Sequence, residues 1–402
     1  MNDTSAANQI ADDLYYVGVN DRTSALFEGM WPLPHGISYN AYLLTGPKTA
    51  LIDTVETCYF DTLLEKIRRI IGERPVDYLV INHMEPDHSG CAALIRKYYP
   101  QIRIVASRQA LSMLKGFYDL EGDSLAAADD TVVDLGNRRL NFRLTPMVHW
   151  PETMMTLETS RNILFSGDAF GTFGALNGGC LDSRIDTALY GDEMVRYYSN
   201  IVGRYGPAVQ KALGKLAGLP VRMICPTHGP VWHREKDRVI DLYDRLSRYQ
   251  ASPGVTLAYG SMYGHTEAMA ETIAEALSAL GVRRIAMHNV STSDASYILS
   301  DVFRYQGLIL GAPTYNASLY PAMESLVSKL RNREICNRFL GCFGSFSWAG
   351  AAVKTLREFA ENSRMEFIGQ AVEMKQGINE DIRRQCRELA QAMAARLDGA
   401  DQ

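Results

Sequence analysis

Between Asn82 and Gly90 the chain reads Asn-His-Met-Glu-Pro-Asp-His-Ser-Gly, which puts four potential metal ligands, His83, Glu85, Asp87 and His88, within six residues. Any one of them alone reads as a solvated turn residue. Two carboxylates and two imidazoles crowded together lose hydration and repel like groups unless a cation compensates them, so the chemistry that fits is metal binding. His83, Glu85 and Asp87 fall at alternate positions, and an extended backbone would send all three to one side. Three further candidates each follow an apolar run: His149 after Thr145–Val148, Asp168 after Ile163–Gly167 and His228 after Met223–Thr227. Singly, the two histidines read as half-buried hydrogen-bonding groups and Asp168 as a turn residue after glycine. The recurrence of a ligand type at one strand end after another joins them to the first loop.

A second kind of site is written in three loops of the last third. Tyr259-Gly-Ser-Met-Tyr-Gly-His-Thr-Glu267 is rich in glycine and hydroxyls, holds no lysine or arginine, and lacks the Gly-Lys-Ser/Thr ending of a nucleoside-triphosphate loop. A phosphate there would rest on backbone N–H groups at a helix start and on the hydroxyls of Ser261 and Thr266, which suits a phosphomonoester such as that of FMN. The alternative is a capped helix in which Ser261 and Thr266 serve only local turns. Met262, Tyr263, Gly264 and His265 complete that loop. Pro313, Thr314, Tyr315 and Asn316 form the second, and Ser345, Phe346, Ser347, Trp348 and Gly350 the third. Tyr315, Phe346 and Trp348 are available to flank a flat isoalloxazine ring.

The apolar pattern supplies the elements that must hold these residues. Tyr78–Ile81 is a continuous run of buried-strand type, so the first ligand loop sits at the carboxyl end of a strand, where α/β layers carry their sites. Strands are also expected at 14–19, 39–45, 50–53 and 102–106, with four more between Thr131 and Gly167. Helices are expected at 60–71, from Ser89 to Tyr99 and around 109–117. The proline-broken aromatic stretch Phe27–Gly36 is a loop that covers a sheet end or lines the site. At Tyr249–Gly254 a small-residue Pro-Gly junction ends the helical pattern, giving domains 1–250 and 251–402. Beyond it strand and helix alternate five times, with strands at 255–259, 284–290, 307–311, 338–343 and 366–374. Five such units mean a doubly wound parallel sheet, and in the order 2-1-3-4-5 the three loops converge on its switch point.

Composition narrows the functional classes. With 402 residues, 47% hydrophobic and 22% charged, the chain has material for two cores. A net charge of −5 leaves no basic footprint for nucleic acid or an anionic membrane. No basic-then-apolar leader opens the sequence and no apolar run is long enough to span a bilayer, so a cytoplasmic location is expected. The seven cysteines are scattered and never paired as Cys-x-x-Cys, which suits a reducing compartment. The same scatter excludes a built-in rubredoxin, zinc ribbon or ordinary iron–sulfur module, each of which needs closely spaced thiolates. Each cysteine is expected as a small buried apolar residue.

The order His83-x-Glu85-x-Asp87-His88, then His149, Asp168 and His228, resembles the metallo-β-lactamase fold over residues 14–248. That resemblance implies an αββα sandwich with a binuclear centre: His83, Glu85 and His149 on one metal, Asp87 and His228 on the other, and Asp168 bridging. Hydrolases of this fold carry histidine at the position of Glu85 and usually bind zinc. The added hard oxygen donor moves the preference here toward iron or manganese. His88 is implied to orient a ligand from outside the set rather than to bind. Residues 255–398 resemble flavodoxin in all three loops.

A carboxylate-containing metallo-β-lactamase domain followed by a flavodoxin domain is similar to the flavodiiron proteins, or A-type flavoproteins, of the minimal two-domain type. The likeness extends to Tyr39–Leu43 and to Arg196–Ile201, where Tyr197 or Tyr198 either borders the distal pocket or packs the core. Glu28 stands where some members have histidine. The resemblance implies an oxidoreductase that uses two iron ions and FMN to reduce O2 to water, NO to N2O, or both. Its electrons would come from a rubredoxin, another small redox protein or a reduced deazaflavin. It further implies head-to-tail homodimers, or dimers of such dimers, in which the flavin of one chain serves the irons of the other. One rival is a zinc hydrolase fused to a flavodoxin domain, in which the metal activates water. Glu85 argues against it. A weaker rival is a pure electron carrier.

Overall fold

The computed structural model describes residues 9–398. The first eight residues, where no leader is expected, lie outside that range, as do the last four of the second domain. Two compact units form: one from the described residues through Tyr198 with Tyr205–Asp244, the other from Ser199–Arg204 with the described residues from Arg245 on. The sequence places the junction at 250/251 and gives no sign of the short Ser199–Arg204 excursion. Arg333 explains it: its guanidinium donates to the carbonyls of Ser199 (2.7 Å) and Asn200 (3.1 Å). Asn200 Nδ2 in turn donates to the Ser296 carbonyl at 3.1 Å.

The first unit holds two large sheets and, among the described residues, two small two-stranded ones. The larger runs Gln9–Ala11, Leu14–Tyr16, Tyr42–Leu44, Ala50–Ile52, Tyr78–Ile81, Arg103–Ser107 and Ser124–Ala127 across its width, and is parallel from Ala50 onward. The smaller runs Val132–Asp134, Arg139–Leu144, Met154–Glu158, Ile163–Gly167 and Met223–Pro226, with only the last pair parallel. The Tyr42 ring packs on Phe165 with centroids 5.3 Å apart, and its hydroxyl donates to the Pro226 carbonyl at 2.6 Å, so the sheets face one another across a buried core. Full burial of such side chains contributes about 1.5–3 kcal/mol each. Helix Phe60–Ile71 shows how the local pattern fits: Leu63, Ile67 and Ile71 recur every fourth residue and are its buried positions. Asp61 in its first turn and Arg68 and Arg69 in its last suit the helix dipole.

The strand expected at 14–19 is broken into Leu14–Tyr16 and Val19–Asp21, which pair in different sheets. Gly18 sits at the break, and a Cβ there would lie 2.4 Å from the Tyr39 carbonyl oxygen. The partner stretch divides likewise, into Ile37–Tyr39 and Tyr42–Leu44.

The second unit is the expected parallel sheet in order 2-1-3-4-5: Ile285–Asn289, Ser252–Tyr259, Tyr305–Tyr315, Cys336–Phe346, then the fifth strand. That fifth strand comes in two pieces, Arg364–Phe367 and Val372–Lys375, both parallel to Cys336–Phe346. Gly369, at φ +65°, turns the chain between them. Val255, Leu257, Ile273, Leu277, Ile309, Leu389 and Met393 belong to one buried cluster that joins sheet and helices. All seven cysteines are free; five are buried, Cys336 is half-buried and Cys58 is exposed, contrary to its expected burial. No described helix is long and apolar enough to cross a membrane.

Candidate metal centre and flavin loops

The carboxyl end of Tyr78–Ile81 is fixed by a buried network before any ligand appears. Asp53, at the end of the neighbouring strand, accepts the Asn82 backbone N–H (2.7 Å) and the Asn82 side-chain amide (2.8 Å), and Thr156 of the facing sheet donates to Asn82 Oδ1 (2.7 Å). Asn82 thereby locks the two sheets at the root of the ligand loop. Burial pushes the Asp53 carboxyl up to about 6, with the Asn82 hydrogen bonds opposing the shift.

His83 and Glu85 follow just past the strand, Glu85 at φ −56°, ψ 139°, and the chain then turns into the short helix Pro86–Ser89 with Pro86 at its start. The alternation expected through Asp87 therefore ends at Glu85, and Asp87 points elsewhere. Two groups result: His83, Glu85, His149 and Asp168, then Asp87, His88 and His228, each with one ligand atom per residue within 4.8 Å of the others. In the first, His149 Nε2 lies 3.1 Å from both Glu85 Oε2 and Asp168 Oδ2, and His83 Nε2 lies 3.2 and 3.5 Å from the same oxygens. In the second, Asp87 Oδ2 lies 3.1 Å from His88 Nε2 and 3.3 Å from His228 Nε2. Asp168 also faces the second group, because its Oδ1 is 3.1 Å from His88 Nε2 and 3.8 Å from His228 Nε2. His149 comes from the turn after Arg139–Leu144, Asp168 from the end of Ile163–Gly167 and His228 from the end of Met223–Pro226.

His88, expected to act from outside the set, turns its Nε2 into the second group. Its Nδ1 has no hydrogen-bond partner among the described residues, whereas His83 Nδ1 meets Glu152 Oε1 at 2.8 Å and His228 Nδ1 meets the Ser38 carbonyl at 2.8 Å. Metal-binding imidazoles are normally oriented by such a partner on the far nitrogen, so the rings of His83 and His228 are the better anchored. Sequence reasoning missed Glu152 and Ser38. The only local sign of Glu152 was an acid three residues after His149 in a Trp-Pro turn.

The electrostatics call for positive charge. Against burial, which favours the neutral ring, Asp168, Glu152 and Glu85 raise His83 to about 10, while Asp168 and Glu85 raise His149 to about 9. The histidines conversely hold Asp87 and Asp168 well below the usual carboxylate range despite burial. The buried Asp87 carboxylate faces the His88 and His228 ring nitrogens, with no backbone or hydroxyl donor among the described residues. A buried carboxylate met only by imidazole nitrogens fits a cation ligand. Three carboxylates with four imidazoles, and no thiolate, suit iron or manganese.

Aromatic rings wall the second group: Phe27, Tyr197 and Tyr39 lie 5.4, 5.5 and 5.8 Å from the His228 ring centroid. Phe27 thus brings the aromatic loop onto the site. Tyr197 and Tyr198 are both fully buried, but Tyr198 stacks edge-on against Tyr243 at 5.1 Å, in the core. Glu28, exposed, accepts the Trp31 indole N–H at 3.0 Å and lies beside Glu85.

In the second unit the three loops meet at the carboxyl ends of adjacent parallel strands, where Tyr259 pairs with Gly311 and Pro313 with Ser345. Strands three and four run farther than expected, to Tyr315 and Phe346. Ser261, Met262, Tyr263 and Gly264 form the turn into helix His265–Ala279, where Ser261 Oγ accepts the Gly264 and Glu267 N–H groups. Thr266, in the first turn, is buried with its hydroxyl 2.8 Å from that of Ser345. Thr314 Oγ1 accepts the Ala351 and Ala352 N–H groups, tying the second loop to the third. Asn316 and Ala317, both at positive φ, close a tight hairpin after Tyr315. Phe346, Ser347, Trp348 and Gly350 continue from the fourth strand. Trp348 is 90% exposed and Tyr263 87%, with Tyr315 and Met262 also exposed. Large exposed apolar side chains gathered at the carboxyl end of the sheet mark a ligand surface, and a helix start ringed by hydroxyls fits a phosphate.

Comparison with known proteins agrees. The family model of the ODP family beta lactamases matches residues 37–229, and the flavodoxin model matches 257–389. The chain is 32% identical over 394 residues to a nitric oxide reductase of Moorella thermoacetica, covering 96% of this chain and 98% of that one. It is 30% identical to the anaerobic nitric oxide reductase flavorubredoxin of Escherichia coli, covering 96% of this chain and 81% of that one. Its fold matches the rubredoxin:oxygen oxidoreductase of the anaerobe Desulfovibrio gigas with a TM-score of 0.93 and 28% identity, covering 97% and 98% of the two chains. A β-lactamase-like domain with a two-group ligand cluster, a flavodoxin domain and likeness along nearly the whole of such relatives lead to one conclusion: the chain belongs to the flavodiiron family of oxidoreductases.

Proposed function

We propose that this chain reduces O2 to water, couples NO to N2O, or does both, at two non-haem irons supplied with electrons from a separate donor through FMN. The observation that carries the reading is Asp168, whose two oxygens face two distinct donor groups in one buried cluster. When bound, two ferrous ions supply two electrons together and the flavin exchanges them singly or in pairs. His83, Glu85 and His149 would hold one iron, Asp87 and His228 the other, and Asp168 both; His88 faces the second position without an anchored ring. Phe27, Tyr39 and Tyr197 exclude bulk water beside His228.

In the flavin site the first loop, with Ser261, Thr266 and the N–H groups around His265, would take the phosphate. Tyr315, Phe346 and Trp348 would flank the ring. A rubredoxin, another small redox protein or a reduced deazaflavin would be the donor. Chains would pair head to tail in the cytoplasm, as homodimers or dimers of dimers, since metal cluster and flavin loops belong to different units. Two relatives are named for NO and one for O2, which supports both substrates. Stopped-flow mixing of the fully reduced protein with O2 and with NO tests the reading. Rapid oxidation of metal and flavin by at least one gas is expected, and oxidation by neither overturns it.

A further inference from the structure

The two metal positions have the same formal charge among their own ligands: Glu85 with one oxygen of Asp168, against Asp87 with the other. Behind the ligands they differ. His83 Nδ1–H is directed at Glu152, a carboxylate 1% exposed, whose same oxygen also accepts the Met84 N–H at 2.9 Å. His228 Nδ1–H meets only the neutral Ser38 carbonyl. Thr227 Oγ1 donates to Asp168 Oδ1 at 2.5 Å and so draws charge from the oxygen that faces the second position.

Resting on the diiron reading above, we infer that Glu152 is a positioning residue that makes the two irons unequal, giving His83 extra donor strength so that the iron at His83, Glu85 and His149 is the harder to reduce. A stronger anionic donor set stabilises the ferric over the ferrous ion. The step concerned is one electron from an external mediator converting ferric to ferrous iron at that position, while the Nδ1 proton stays on His83.

Glu152→Gln isolates the charge. A glutamine carbonyl can keep both hydrogen bonds of Oε1. Its amide then takes the place of Oε2, which has no partner among the described residues and belongs to a residue lining a cleft of about 300 Å³. Mediated redox titration, followed by the electron paramagnetic resonance signal of the half-reduced centre, reads the two iron steps separately from the flavin. In E152Q the more negative iron step should shift upward by about tenfold in its equilibrium, about 59 mV for one electron, with the other iron step and the flavin unmoved. No shift, or an equal shift of both iron steps, overturns the inference. If E152Q fails to retain iron, Glu152→Asp, which keeps the charge, should retain iron at the wild-type potentials. Iron lost from both variants makes Glu152 mere packing and also overturns it. Iron is assayed first in the wild type: its absence there defeats the diiron reading, whereas its presence with unshifted potentials defeats only this inference.

Discussion

Replacing Asn82 by alanine should loosen the ligand loop without touching a ligand. The substitution removes the amide donor to Asp53 Oδ2 and the acceptor for the Thr156 hydroxyl, at 2.8 and 2.7 Å, all three residues being buried. A hydrogen bond to a buried carboxylate is worth about 1.5–3 kcal/mol and a buried hydroxyl left alone costs about 1–3 kcal/mol, so N82A should lose about 3–5 kcal/mol. That is a large share of an ordinary domain's stability. Asn82→Asp should do similar damage, since two carboxylates would then meet at 2.8 Å in the interior and one must hold a proton. Combining Asn82→Asp with Asp53→Asn restores complementarity. The amide introduced at position 53 accepts the backbone N–H of position 82 with its oxygen and donates with its nitrogen to the carboxylate introduced there. Urea denaturation of wild type, N82A, N82D, D53N and the double variant, with iron content measured on the native fraction, gives the coupling. The double variant should recover at least about 2 kcal/mol over the sum of the two single changes, along with its iron. Strictly additive losses, or an N82A cost below about 1 kcal/mol, would refute the role given to Asn82.

Two further outcomes are expected. Asp21 is held down to about 2, burial notwithstanding, by the hydroxyls and backbone N–H groups of Ser24 and Thr23. Because its folded value lies below the ordinary one, its stabilisation is present above about pH 4 and lost as pH falls toward 2. Asp21→Asn should therefore cost about 1–2 kcal/mol at pH 7 and progressively less from pH 5 downward in denaturant titrations, and a gap that ignores pH would remove the charge from the explanation. Thr266→Ala should lower the flavin retained through gel filtration, since the hydroxyl paired with Ser345 lies in the loop proposed to take the phosphate. Unchanged flavin content would take Thr266 out of the site.

Much of this architecture was legible because ligand residues end apolar runs: His83 after Tyr78–Ile81, Asp168 after Ile163–Gly167 and His228 after Met223–Pro226 need only local pattern to be found. The five βα units were legible for the same reason, apart from strand ends. What holds the ligands was not. Glu152 reaches His83 across 69 positions and Ser38 reaches His228 across 190, and no local spacing records such contacts. The direction of Asp87 and His88 does have a local sign: proline is favoured at the first helical position, so Pro86 marks a helix start and ends the extended reading at Glu85. Gly18 and Gly369 similarly carry the strand breaks, but a glycine in a strand pattern does not say whether a bulge, a crossing or a stop is intended.

The reductase reading stands most directly on what the chain binds. Metal and flavin analysis of the protein purified without oxygen should find about two irons and one FMN per chain, as the carboxylate-rich donor set and the three flavodoxin loops require. Zinc in place of iron with no flavin would contradict it and return the chain to the hydrolase alternative that Glu85 argues against.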